Sequence, residues 1–155
     1  MRLVFMVLGL VALAGCGVEM DAKNAAKKLL NDPGSAEFSD MRKGSEPDNV
    51  CGYLNAKNRM GGYVGKTPFF YEGATQTVAI VAPVEDGDFR SIWLGIRLND
   101  FANDLQKTRQ KCEVVAKWPA VCGSAYPGPK HDLCDVILDG GASGIYTALR
   151  DKYDR

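Results

Sequence analysis

Residues 3–13 constrain this chain most, because they read as foreign to any folded domain. Leu3 to Leu13 is apolar throughout except for Gly9, and Met1-Arg2 ahead of it carries the amino terminus and one basic side chain. A helix in a globular core keeps a polar face, and this stretch has none. A bilayer-spanning helix needs about 20 apolar residues, so the stretch is too short for one. A basic start, an apolar core of about 7–15 residues and a small-residue exit are the parts of a secretory signal peptide. Residues 1–15 are therefore set aside. The fold must be built from the remaining 140 residues, enough for one domain of ordinary size.

The exit reads Leu13-Ala14-Gly15-Cys16. It resembles the lipobox of bacterial lipoproteins. The resemblance implies that the Cys16 sulfur is alkylated with diacylglycerol. The Gly15–Cys16 bond is then cut, and the new amino group receives a further acyl chain such as palmitate. A thiol is the nucleophile this alkylation needs. One acyl chain holds a protein marginally, at about 0.8 kcal/mol per buried methylene, and two or more give a stable anchor. Gly17 follows, where an Asp would imply retention in the inner membrane. The resemblance therefore favours the outer membrane, with the domain in the periplasm or at the surface. Gly17 to Met20 is expected to be a short tether, and residues 21–155 a single domain.

Without Arg2 the mature chain has 18 basic and 19 acidic side chains, a formal −1. That balance argues against nucleic acid as a partner and gives no polybasic membrane patch. With Cys16 taken by lipid, Cys51, Cys112, Cys122 and Cys134 are left, an even number that reads as two disulfides in an oxidising compartment. Four cysteines allow three pairings, and the spacing does not choose among them. A zinc site is disfavoured, because the cysteines lack a Cys-x-x-Cys step and the chain has one histidine. No metal and no cofactor is expected.

Asp21 to Asn31 has the alanines, leucines and lysines of a helix, with Asp21 at its start and Asp32-Pro33-Gly34 as its stop. Residues 35–41 are a candidate strand. Val50 to Lys57 alternates as a strand does. Asn58 to Gly62 is a loop, Tyr63 to Tyr71 a returning strand, and Gln76 to Ala82 a β-branched third strand closed by Pro83. The expected fold class is α+β. An N-terminal helix covers a small antiparallel sheet of three to four strands, C-terminal helices follow, and disulfides hold the whole.

Within this block stand Asp32-Pro33-Gly34-Ser35-Ala36-Glu37-Phe38 and Val50-Cys51-Gly52-Tyr53-Leu54-Asn55-Ala56-Lys57-Asn58-Arg59-Met60-Gly61-Gly62-Tyr63. The two motifs resemble a family of small exported proteins and lipoproteins of Gram-negative bacteria and their phages. The likeness runs from residue 21 to roughly residue 95. It implies an exported α+β domain and no mechanism. Asp88 to Leu98 carries both a strand alternation and a helical stripe (Phe89, Ile92, Trp93, Ile96). The family has a short Trp-bearing helix here, so a helix with Asp88 as its cap is expected.

Asn99 or Asp100 should cap an amphipathic helix reaching about Lys117, with Cys112 on its buried face and Pro119 as its end. Val121 to His131 is glycine- and proline-rich, an irregular segment for a disulfide to pin. Leu133 to Leu138 reads as a short strand or a turn of helix. Ser143 to Tyr153 reads as a terminal helix.

Catalytic chemistry finds little support. His131-Asp132 near Cys134 would make a nucleophilic site only if Cys134 were a free thiol. Asn55, Lys57 and Asn58 beside Gly61-Gly62 form a candidate loop for an anion or a sugar, although asparagines in turns commonly satisfy local backbone. The aromatic residues Tyr53, Tyr63, Phe69, Phe70 and Tyr71 would line a groove or, more often, fill a sheet core. The expectation is a non-catalytic binding module of the cell envelope. Lipid on Cys16 would hold it to the membrane, and its partner would be an envelope protein. The phage side of the resemblance implies superinfection exclusion as its sharper form. The alternative is an envelope enzyme or enzyme inhibitor acting on cell-wall metabolism, with the Val121–His131 segment as the inhibitory loop.

Overall fold

Two central strands with apolar side chains on both faces decide the architecture. In the computed structural model, which describes residues 15–154 and side chains from Gly17 onward, strands β1 (Glu37–Lys43), β2 (Val50–Asn55), β3 (Thr67–Glu72) and β4 (Thr77–Ile80) form one antiparallel sheet in sequential order. Side chains alternate across a strand. Val50 and Leu54 of β2, with Phe69 and Tyr71 of β3, face one side, whereas Cys51 and Phe70 face the other. All six are buried, so both faces need a cover. The chain supplies helices on each.

The first face takes helix α1 (Gly15–Lys27), which seats Ala22 and Ala26 against the sheet. Both alanines have no exposed surface, and their small side chains let the helix approach the strands closely. Phe38 of β1 packs its ring edge-on to Phe69 at 5.5 Å on the same side. The second face takes α2 (Asp86–Leu98), α3 (Ala102–Cys122), α4 (Leu133–Asp139) and α5 (Gly141–Tyr153). Phe70 there meets Trp118 of α3 edge-on at 6.3 Å. Disulfides Cys51–Cys122 and Cys112–Cys134 fix this layer, the first to the sheet and the second within the helices. The fold is α+β and disulfide-stabilised, as the sequence implies, and residues 37–43 supply the fourth strand.

Several boundaries differ from expectation for identifiable reasons. The segment 17–20, expected as a tether, is already helical. α1 stops at Lys27 rather than Asn31, because Lys28, Leu29 and Leu30 tighten into i to i−3 bonds to Ala25, Ala26 and Lys27. Asp88 does not cap α2. Glu85 occupies that position, and Asp88 sits three residues on, accepting the Glu85 amide at 2.9 Å and the Lys111 ammonium at 2.7 Å. Asn99 ends α2 in a left-handed conformation, and Phe101 precedes α3 as its cap. Pro119 does not end α3. A proline costs a helix one amide donor, here the one that would reach the Val115 carbonyl, yet α3 continues to Cys122, and Gly123, with φ of 65°, closes it by donating to the Pro119 carbonyl. The returning strand begins at Thr67, preceded by one bridge between Lys57 and Tyr63. The apolar stretch at residues 1–14 and the Cys16 side chain lie outside the described residues.

The two disulfides should contribute unequally. Cys51–Cys122 closes a separation of 71 residues and Cys112–Cys134 one of 22. Chain-entropy scaling assigns them about 4 and about 3 kcal/mol, respectively. Denaturant unfolding of the paired Cys→Ala variants should show the larger loss for Cys51→Ala/Cys122→Ala. Equal losses would contradict the entropic account.

Candidate functional site

Three places could carry function, and each is best read from the groups its side chains engage. The first is the hairpin loop after β2. Asn58 Oδ1 accepts the amides of Met60 and Gly62 at 2.9 and 3.1 Å, and Asn55 Oδ1 accepts that of Gly65 at 2.9 Å. Both asparagines are therefore occupied in shaping the loop. Lys57 is different: its ammonium lies over the Tyr63 ring at 5.5 Å. The loop brings the three sequence-identified residues together, but as a scaffold rather than a set of converging ligands.

The second place surrounds His131. Its ring stacks on Phe89 at 4.1 Å, and its Nδ1 lies 2.9 Å from the Asp132 carboxylate, with which it shares the Leu133 amide. The Tyr153 hydroxyl donates to Asp86 at 2.8 Å, and Lys152 approaches both Asp86 and Asp132. Burial pushes the His131 pKa down, and Lys152 pushes it the same way, against the raising effect of the three aspartates. Burial also raises the Tyr153 hydroxyl, with the Asp86 hydrogen bond adding to it. Cys134 is bonded to Cys112, so this cluster has no free thiol there to act as nucleophile. It joins the ends of α2 and α5.

The third place is a cleft of about 330 Å³ between the sheet end and the segment linking α3 to α4. Tyr53 of β2, Pro68 of β3, and Val81 and Pro83 after β4 form one wall. Tyr126, Pro127 and Gly128 form the other, with Val64 and Lys66 at the mouth. Disulfide cysteines flank the second wall at Cys122 and Cys134, so it is a clamped loop. Arg42 adds a further tie, donating to the Cys122 carbonyl at 3.2 Å and the Ser124 hydroxyl at 2.8 Å. Tyr126 leans edge-on against Trp118 at 5.8 Å. A side chain on Gly128 would meet the Tyr126 ring at 2.7 Å, so glycine lets the loop fold over its own tyrosine. Burial, then the neighbouring Tyr53, raises the Tyr126 hydroxyl pKa. Tyr126 thus stays a neutral donor at physiological pH.

Of the aromatics expected as groove or core, Phe69, Phe70 and Tyr71 are core, Tyr53 lines the cleft, and Tyr63 is half exposed on the hairpin. Tyr126, Pro127 and Pro83 were missed as site residues. The signal for Tyr126 and Pro127 is the Pro-Gly-Pro run between Cys122 and Cys134, whereas Pro83 reads only as the end of a strand. Among the described residues no group of His, Cys, Asp and Glu could hold a metal ion, and no helix is long and apolar enough to cross a membrane. No protein-family model, curated protein or solved structure matches the chain.

The His131 environment has a pH consequence. Its folded pKa lies below the ordinary 6.5, so the unfolded chain binds the proton more readily. The contribution of His131 to stability is fully present above pH 6.5 and is lost as pH falls from there through its lower folded pKa. Thermal melts between about pH 8 and pH 5 should show this loss in the wild-type chain and a flatter profile in His131→Gln. Matching slopes would remove His131 as the cause.

Proposed function

We propose that this chain is a lipid-anchored protein of the bacterial cell envelope that acts by binding rather than by catalysis. Cys16 carries the acyl chains, and the domain meets an envelope protein through the cleft between Tyr53 and Tyr126. The observation that carries the reading is the cysteine accounting. The four cysteines downstream of Cys16 pair completely, and all four are buried. That pattern suits an oxidising compartment, where a lipobox cysteine would be the one left for lipid.

The cleft favours an extended peptide. Tyrosine and proline walls give rigid, amphipathic contact surface at little entropic cost. The clamped loop is already in place before the partner arrives. A partner segment with apolar or proline residues fits such walls, and Tyr53, Tyr126 and Lys66 offer polar heads at the rim. The sharper form of the proposal is superinfection exclusion, in which the bound partner is an envelope component that a second phage needs for entry.

Mass spectrometry of the mature protein should find acylated Cys16 at its amino terminus, and an unmodified chain beginning at Met1 would refute the anchor. Pull-down from detergent-solubilised envelopes should recover one protein partner. Tyr126→Ala should weaken that capture by about 2 kcal/mol, roughly thirty-fold, as a central aromatic contact does. Turnover of cell-wall fragments that disappears in His131→Ala would replace binding with an enzyme. Phage plating on expressing cells should fall with the wild-type chain and recover with Cys16→Ala. Unchanged plating in both would refute exclusion.

A further inference from the structure

Charge is balanced over the whole chain but not along it, so the formal balance that implied no polybasic membrane patch hides a local excess. Residues 27–32 and 57–66 together hold five cations (Lys27, Lys28, Lys57, Arg59, Lys66) and one acid, Asp32. The two segments meet where Arg59 Nε donates to Asn31 Oδ1 at 3.1 Å. Asp32 is turned to local use, accepting the Ser35 amide. Lys66 pairs with Asp40 at 3.3 Å on the open surface, where such a pair is weak.

The same two segments expose apolar side chains. Met60 at the hairpin tip is 94% exposed and Leu29 57%, with Tyr63 at 49%, whereas Val64 belongs to the mouth of the cleft. Gly61-Gly62 follows Met60, and the Asn58 side chain holds this tip in shape. An unbranched methionine between glycines and cations is the combination that enters a lipid interface. The thioether adapts to irregular surroundings, tyrosine prefers the headgroup level, and Lys and Arg keep their heads at the phosphates.

We propose that the Leu29–Asn31 turn and the 57–66 hairpin form a docking surface for an anionic phospholipid bilayer. Met60 enters the interface, and Lys57, Arg59 and Lys28 face the headgroups. The inference rests on the acyl-anchor reading for bringing the domain to a bilayer. It adds a second, protein-borne contact that fixes how the domain lies there.

The test uses the full acylated chain in nonionic detergent, in phosphatidylcholine vesicles, and in vesicles that also contain phosphatidylglycerol. Amide hydrogen exchange is followed by mass spectrometry. Residues 27–32 and 57–66 should exchange several-fold more slowly in the phosphatidylglycerol vesicles than in detergent. Lys57→Gln/Arg59→Gln should abolish that protection, and so should Met60→Ser, whose exposed side chain supports no packing. A chain retained on the vesicles without protection overturns the docking surface and leaves the anchor standing. A chain that associates with neither vesicle fails both readings. Equal protection in phosphatidylcholine alone overturns the charge complementarity on which the proposal depends. Protection confined to native envelope membranes assigns the patch to a protein and overturns it.

Discussion

The bond between Cys51 and Cys122 is the constraint on which the other features depend. Cys51 lies in the middle of the sheet on the face opposite α1, and Cys122 is the last residue of α3. Joining them presses α3 against Phe70 through Trp118 and leaves Gly123 to turn the chain back over the sheet end. Gly44 and Asn49 at the foot of β2 are drawn into the same junction. The Asn49 amide side chain donates to the Val121 carbonyl at 3.3 Å while its oxygen accepts the Gly73 amide at 3.1 Å. Asn49 is one of only two buried polar or charged residues among those described. Its two bonds connect α3, the start of β2 and the β3–β4 turn. A buried amide with its partners supplied at both ends favours a single arrangement of these three elements.

From that junction follows the shape of the cleft. The segment after Gly123 is too rich in glycine and proline to build its own secondary structure. It would be costly to order on binding if it were free. Here it is anchored at Cys122 to the sheet and at Cys134 to α3. The loop entropy has been removed by the fold itself, and Tyr126 is held by Trp118 beneath it. One wall of the cleft is thus held by the same two bonds that stabilise the domain.

Much of this was legible in the residues. The strand periodicity of Val50 to Asn55 and the β-branched run at Thr77 to Ile80 gave the meander. Alanines spaced four apart gave the covering face of α1. Asp88 to Leu98 carries a strand alternation as well as its Phe89-Ile92-Trp93-Ile96 stripe, so periodicity alone does not decide for the helix. What misled were local signals that tertiary structure overrode. Pro119 ordinarily stops a helix, because it lacks the amide that would donate to the Val115 carbonyl, yet α3 runs on to Cys122, where a disulfide and a left-handed glycine hold the last turn closed. Asp88 resembles a cap because it precedes an apolar stripe, but Glu85 three residues earlier gives the helix nearly one additional turn. The site was less legible than the fold. Tyr53 and Tyr126 are 73 positions apart in the chain, and the Cys51–Cys122 bond, spanning nearly the same interval, brings them together with the help of Arg42 and Trp118. No periodicity records such a pairing.

Charge placement follows the same logic of local use. Asp86 and Asp88 sit in the first turn of α2, Asp104 in that of α3 and Asp135 in that of α4, where the helix dipole favours acids. Lys27 in the last turn of α1, Arg97 in that of α2, and Arg150 and Lys152 in that of α5 meet the complementary demand. A chain with equal numbers of acids and bases can satisfy its helix ends in this way without any net field. Lys57 and Arg59 stand outside the scheme, because their hairpin has no helix end to serve and no acid lies between residues 57 and 66. Their local contacts, Lys57 over the Tyr63 ring and Arg59 on Asn31, are to uncharged groups, so the hairpin keeps its positive charge beside an almost fully exposed methionine, and that pairing motivates the bilayer-docking proposal.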